Sequence, residues 1–347
     1  MLKKVLIRFL WVGLIILSLD VVYTHTLYPK DLEEKSKEVV EIWNSQDSAD
    51  IYYFGESSNT TYRETDSLKN RISEFTNWFY PSLRITNINK FATHGGVYRQ
   101  WLKVIDTKKK LPHAIIITLN LRSFNAGWIH SNLETQLQEA MVFTQPFPNI
   151  VNRFFLSLQA FDNKTDKQRE EDMLRDYRTV PLVFPYPFPF KTVSEWDSHM
   201  AAGGYLKPDG SWDMDKIVLA CHFIKGYGFN IRQNNPRIAD FDAIYDWCSK
   251  FQVNLYLNLL AENVQYADSL VGKDLVFLMK QNRDFLVKRY QKGNCKVIDN
   301  LEVVPGREFI DLEWTTEHYA CKGRMTIAKN ISDTLKKQFN NKYKKAY

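Results

Sequence analysis

Short apolar runs that alternate with helix-like segments limit the fold of this chain more than any other feature. Ile51-Tyr-Tyr-Phe54 is a β-branched and aromatic run that ends at Gly55, and Ala114-Ile-Ile-Ile-Thr-Leu119 is apolar almost throughout. Continuous apolar runs are typical of strands buried on both faces, which occur in parallel sheets covered by helices. The sequence therefore predicts a doubly wound α/β fold with a parallel sheet as the middle of three layers.

The same alternation extends over most of the chain. Further strands are predicted at residues 83–88, 253–260 and 295–298, and helices at residues 67–79, 97–105, 270–290 and 316–339. A domain with its own core fits residues 50–340, because 44% hydrophobic and 14% aromatic residues exclude bulk disorder. A basic tail, 341–347, follows it.

Residues 125–215 interrupt the alternation and are too long for an ordinary connection, which predicts an insertion. Helices are predicted within it at 132–161 and 166–177. The stretch 180–190 is rich in proline and aromatic residues, so it cannot form a regular helix or a central strand. It could be a lid over the site, an aromatic surface against a membrane or partner, or a packed irregular loop.

The N-terminus has the pattern of a signal anchor. Lys3, Lys4 and Arg8 precede an apolar run at residues 9–22 that only Asp20 interrupts. The positive-inside rule would leave the first residues in the cytoplasm and the rest of this single-pass chain outside it, at the periplasmic side or cell surface. We therefore predict a membrane helix at 1–23 and a helical stalk at 24–49. The alternative is a cleaved signal peptide, although no small-x-small site follows the run.

The net charge and the cysteine spacing limit which partners and bound groups the sequence predicts. The net charge of +6 suits an anionic neighbour such as a lipid headgroup or polyanionic glycan. No nucleic-acid-binding signature is present, so we expect no nucleic-acid partner. The four cysteines form no CxxC pair, which predicts free thiols, or a disulfide in an oxidising compartment, and no metal site. We also expect no cofactor.

A candidate nucleophile follows the first predicted strand in Phe54-Gly-Glu-Ser-Ser-Asn59. Parallel sheets open their ligand crevice at the carboxyl ends of the strands, so Ser57 can be both exposed and rigidly held there. The glycine permits a tight turn, and a following helix would aim its first amides at the serine. The alternative is a plain turn with Ser58 as a helix cap.

Other chemistry-bearing residues follow later strands in order. Gly95 and Gly96 open a helix after the second strand, and Asn120 ends the third, so backbone and side-chain amides could hold an oxyanion. His318 stands at the entrance to the last predicted helix, where it could act as the base. The order of these residues at successive strand ends strengthens the prediction that Ser57 is a nucleophile.

These blocks resemble the SGNH hydrolase superfamily, which is named for Ser, Gly, Asn and His in that order. Phe-Gly-Glu-Ser57 matches the first block with Glu56 in place of the usual Asp, Gly95 or Gly96 the second, Asn120 the third and His318 the fourth. The resemblance implies a flavodoxin-like sheet and an acyl-enzyme mechanism. It implies that Ser57 is the nucleophile and His318 the base, with the oxyanion bound by Gly95, Gly96 and Asn120.

The acid of the triad departs from the family pattern. The family places it three residues before the histidine, where this chain has Thr315. The nearby carboxylates are Asp311, Glu313 and Glu317, of which we favour Glu313 because a short loop could fold it back onto the histidine. A Ser-His dyad would also suffice at reduced rate.

Within the superfamily, the anchor resembles that of the envelope acyltransfer branch, the D-alanyl transfer proteins and polysaccharide O-acetyltransferases. This implies a membrane-anchored serine ester hydrolase or O-acyltransferase acting on an acylated glycan or lipid-linked substrate, with a membrane-bound acyltransferase as a partner. The alternative is a catalytically silent subunit that binds glycan or docks such an acyltransferase. Phosphoryl transfer would need a metal cluster, and Asp242, Asp246 and Glu262 do not form a convincing one.

Overall fold

One parallel sheet organises the chain. The computed structural model describes residues 2–134, 141–145, 148–158 and 162–343, with side chains as far as residue 339. The five strands are β1 (Ile51–Gly55), β2 (Ile85–Asn89), β3 (Ala114–Leu119), β4 (Asn254–Leu259) and β5 (Cys295–Asp299). They pair in the order β2-β1-β3-β4-β5, and every pairing is parallel. The predicted α/β class is confirmed, and this strand order is that of flavodoxin-like doubly wound sheets.

The helices fill the connections between the strands. They are α1 (Leu2–Thr26), α2 (Tyr28–Lys35), α3 (Lys37–Ser45), α4 (Ser57–Thr60), α5 (Ile72–Phe79), α6 (Gly95–Val104), α7 (Ala126–Ile129), α8 (Asn149–Ser157), α9 (Asp166–Thr179), α10 (Val193–Gly203), α11 (Met214–Tyr227), α12 (Pro236–Lys250), α13 (Val264–Leu270), α14 (Lys273–Tyr290) and α15 (Cys321–Tyr343). Short 3₁₀ turns lie at Leu121–Phe124 and Gly306–Glu308.

Both faces of the sheet are buried. Alternate residues of β1 point to opposite sides, so that Tyr52 and Phe54 join one core while Ile51 and Tyr53 join the other. The first core lies under α6, α11, α12 and α14, and the second lies under α5 and α15. Burial on both sides explains why these strands have continuous apolar runs in the sequence.

Three predicted helices begin later in the structure than the sequence indicates. The helix predicted from residue 67 begins at Ile72, and the one predicted from residue 270 begins at Lys273, after Gly272 with a φ of 107°. The last helix begins at Cys321 rather than at residue 316, because an isolated antiparallel bridge joins Phe309 and Tyr319. That bridge holds the chain extended beside His318.

Within the predicted stalk, residues 24–49, the helices α2 and α3 pack against the domain. Val39 and Ile42 of α3 are fully buried, and Leu32 of α2 is buried as well. Tyr28 donates a hydrogen bond to the carbonyl of Phe143 at 3.1 Å. The chain therefore joins α1 to the sheet domain through packed helices.

The connection from β3 to β4 holds α7 to α12. The helix predicted at 166–177 is confirmed as α9, whereas the prediction at 132–161 lies partly outside the described residues and includes α8. In the stretch 180–190, Phe184 contacts Phe277 and Phe188 contacts Trp196 at ring distances of 5.7 and 4.9 Å. Three of its four aromatic rings, Phe184, Phe188 and Phe190, are partly buried against the core, as in a packed irregular loop.

The N-terminal helix α1 has the length and composition of a membrane span. It runs for 25 residues, and of these only Tyr23 is buried against the domain. All four cysteines are free thiols, and Cys221, Cys248 and Cys295 are buried.

Candidate active site

The turn between β1 and α4 positions Ser57 at the end of the central strands. Gly55 is required there because a Cβ would lie 2.7 Å from Oδ1 of Asn89 on the neighbouring strand β2. Ser57 is the first residue of α4, after Glu56 in an extended conformation. Ser58 is buried and its hydroxyl has no hydrogen-bond partner, so it does not cap the helix. Ser57 therefore lies at the switch point between β1 and β3.

Ser57, His318 and Asp311 form a continuous hydrogen-bonded chain. Nε2 of His318 lies 3.0 Å from Oγ of Ser57, and Nδ1 of the same ring lies 2.6 Å from Oδ2 of Asp311. The hydroxyl of Thr316 donates to Oδ2 of Asp311 at 2.9 Å. The His318 side chain is 20% exposed, so a substrate can reach this row of side chains.

The structure replaces Glu313 by Asp311 as the carboxylate beside the imidazole. The amide of Ile310 donates to the carbonyl of His318 at 3.0 Å, and this contact brings the next residue, Asp311, alongside the ring. Glu313 lies further along the loop and faces solvent. Sequence spacing could not separate the two, because the choice depends on how the two extended segments align.

Asn120 is placed between two carboxylates rather than facing the nucleophile as a free donor. Its Nδ2 donates to Oε1 of Glu56 at 2.9 Å and to Oε2 of Glu317 at 3.3 Å. Glu56 directly precedes Ser57 and Glu317 directly precedes His318. In the structure this amide links the backbone segments that carry Ser57 and His318, and the oxyanion function expected for Asn120 stays a prediction.

Gly95 and Gly96 are explained by packing and capping. A Cβ on Gly95 would lie 3.0 Å from the ring of Phe241 on α12, so the glycine lets α6 approach α12 closely. The amide of Gly96 donates to Nδ1 of His94, the N-cap of α6, at 3.1 Å. The Gly96 amide is thus engaged within its own helix start. The amides of Ser57 and Gly95, each the first residue of its helix, have no intrahelical acceptor and could both donate to an oxyanion.

A buried polar cluster lies beneath the candidate site. Arg122 makes a bidentate ion pair with Glu317 through Nε and Nη2. Tyr227 donates to Glu262, whose other carboxylate oxygen has no hydrogen-bond partner. Burial and the nearby Glu317 raise the pKa of Glu56 to about 8 and the pKa of Glu262 well above its usual value. Burial therefore favours the neutral form of both carboxyl groups.

Glu56→Gln is expected to flatten the dependence of stability on pH. The folded protein holds a proton on Glu56 up to a pKa of about 8, whereas the unfolded chain releases it near 4.5, so stability falls as pH rises between these values. This proton contributes a slope of up to about 1.4 kcal/mol per pH unit. Urea unfolding at a series of pH values would measure it. A slope in Glu56→Gln equal to that of wild type would contradict the assignment.

Sequence reasoning missed the extent of this cluster. Arg122 lies shortly after the end of β3, and Glu262 lies shortly after the end of β4. A charged residue just past a buried strand was the available signal, but nothing in the sequence shows that the two side chains converge. Among the described residues, no group of His, Cys, Asp and Glu has the geometry of a metal site.

Comparison with known proteins adds no family. No protein-family model matches the chain, and no curated protein sequence is similar to it.

Proposed function

We propose that the chain is a serine ester hydrolase or O-acyltransferase of the SGNH type. The observation that carries this proposal is the chain of contacts from Ser57 through His318 to Asp311, with distances of 3.0 and 2.6 Å. A serine hydroxyl bonded to an imidazole, which is oriented by a carboxylate, is the arrangement that activates serine for acyl transfer. The block order and the strand order support the same proposal.

The mechanism follows from these contacts. Nε2 of His318 takes the proton of Ser57 as Oγ attacks an ester carbonyl, and the imidazolium then protonates the leaving alcohol. Asp311 accepts a hydrogen bond from the Nδ1–H group of His318 and stabilises the imidazolium. The free amides at the start of α4 would hold the oxyanion. Deacylation by water gives a hydrolase, and deacylation by a sugar or glycerol hydroxyl gives a transferase.

The anchor defines where this chemistry would occur. Lys3, Lys4 and Arg8 before the apolar part of α1 favour an extracytoplasmic domain held at the membrane by a single helix. An acylated glycan or lipid-linked substrate and a membrane-bound acyltransferase partner fit that location. Asp311 supplies a carboxylate beside His318, which favours an active enzyme over the alternative of a catalytically silent subunit.

Covalent labelling by a fluorophosphonate tests the proposal directly. The probe reacts with a serine oxygen only when that serine is activated, so we expect a single adduct on Ser57 by peptide mass spectrometry. Ser57→Ala should lose the adduct. Ser58→Ala is the matched control and should keep it, because Ser58 is buried beside the nucleophile and its hydroxyl has no hydrogen-bond partner. Absence of labelling in the wild-type chain, or equal labelling of Ser57→Ala, would overturn the proposal.

A further inference from the structure

A short helix in the β3–β4 connection exposes an apolar face next to the membrane helix. In α8, Phe154 and Phe155 are 58% and 40% exposed, and Leu158 at its end is 59% exposed. These positions are separated by one, three and four residues, so they share one side of the helix. The opposite side of the helix faces the protein, where Asn152 is buried. The exposed face has no covering element among the described residues.

Polar contacts fix α8 to the end of α1. The amide of Ile150 in the first turn of α8 donates to Oδ1 of Asp20 at 2.8 Å, and Asn149 donates to Oγ1 of Thr24 at 3.2 Å. Arg153 forms an ion pair with Asp31 at 3.2 Å. Asp20 is the charge that interrupts the apolar run of α1. Its carboxylate accepts a hydrogen bond from the first turn of α8, where backbone amides have no partner within the helix.

The position of Asp20 along α1 indicates the depth of α8. From Lys4 to Asp20 the helix advances 16 residues, or about 24 Å at about 1.5 Å per residue. The hydrocarbon core of a bilayer is about 30 Å thick. With Lys4 at the inner boundary, Asp20 and the start of α8 come close to the outer boundary.

We propose that α8 lies in the outer interface of the membrane, with Phe154, Phe155 and Leu158 inserted among the lipids. The occupant is a lipid surface because α8 packs against α1, whose apolar residues are exposed along most of the helix. Amphipathic helices with aromatic apolar faces bind membranes in this way. The proline-rich stretch 180–190 is less suited, since its rings Phe184 and Phe188 pack inward. The inference depends on the proposed anchoring by α1.

Spin-label accessibility in lipid nanodiscs tests this placement with the full chain. Single cysteines at Leu14→Cys, Phe154→Cys and Leu206→Cys would be labelled in a Cys321→Ser background, because the other native thiols are buried. The nanodiscs would contain phosphatidylcholine and phosphatidylglycerol. We expect labels at 14 and 154 to favour oxygen over a water-soluble nickel chelate by several-fold more than the label at 206. Leu206 is the matched control, being 62% exposed on the same connection.

The outcomes separate this inference from the anchor itself. A label at 154 that behaves like the one at 206, while the label at 14 is immersed, would overturn the inference and leave the anchor intact. A label at 14 that is accessible to the nickel chelate would overturn both. A label at 154 shielded from both reagents would indicate a protein partner and would also overturn the lipid assignment.

Discussion

Asp311→Asn is expected to lower turnover of an ester substrate by about 10⁴-fold, the loss typical of this substitution in a serine triad. Asparagine can keep a contact with Nδ1 of His318, but its amide favours the wrong tautomer of the ring and carries no charge to stabilise the imidazolium. The side chain is near-isosteric, so the loop around it should keep its conformation. The measurement is the rate of p-nitrophenyl acetate hydrolysis, with the rate of fluorophosphonate labelling of Ser57 as a second readout.

Glu313→Gln is the matched control for this prediction. It removes the same charge from the same loop, two residues away, at a position that faces solvent. Its rates should stay close to those of wild type. Normal turnover in Asp311→Asn together with a large loss in Glu313→Gln would show that Glu313 orients His318 in the working enzyme. Unchanged rates in both would show that His318 acts without a carboxylate.

Arg122→Met is expected to lower the free energy of unfolding by about 3–5 kcal/mol, because it leaves a buried carboxylate without its cation. The Glu317 side chain is 4% exposed and accepts two hydrogen bonds from Arg122. Methionine fills much of the same space, so loss of packing contributes little. Urea unfolding of the full chain in detergent micelles would measure the change.

Two variants make the Arg122 result specific. Arg122→Met with Glu317→Gln removes both charges and should recover part of the lost stability, as a double-mutant cycle requires for an interacting pair. Arg283→Met removes a more exposed arginine that pairs with Asp299 at 2.7 Å, and its cost should stay below about 1 kcal/mol. Equal losses in Arg122→Met and Arg283→Met would contradict the description of a buried pair.

The strands and the candidate nucleophile and base could be predicted from the sequence because their signals are local. The apolar run at residues 114–119 matches β3 residue for residue, and the run at 51–54 matches β1 except for Gly55. Ser57 directly follows β1 and His318 stands shortly before the last helix, and the structure brings their side chains within 3.0 Å although 261 residues separate them. Parallel strands meet at one edge of a sheet, so their carboxyl ends converge in a predictable way.

Contacts between side chains were decided by the tertiary structure. Asp311 rather than Glu313 meets His318 because an antiparallel bridge outside the sheet sets the alignment of two extended segments. The amide of Asn120 meets Glu56 and Glu317 because burial brings strand ends from distant parts of the chain together. The sequence alone determined the layers, the strands and the candidate nucleophile and base, since apolar periodicity is a property of each segment. Which carboxylate and which amide partner them depends on distances between segments, and these exist only once the chain has folded.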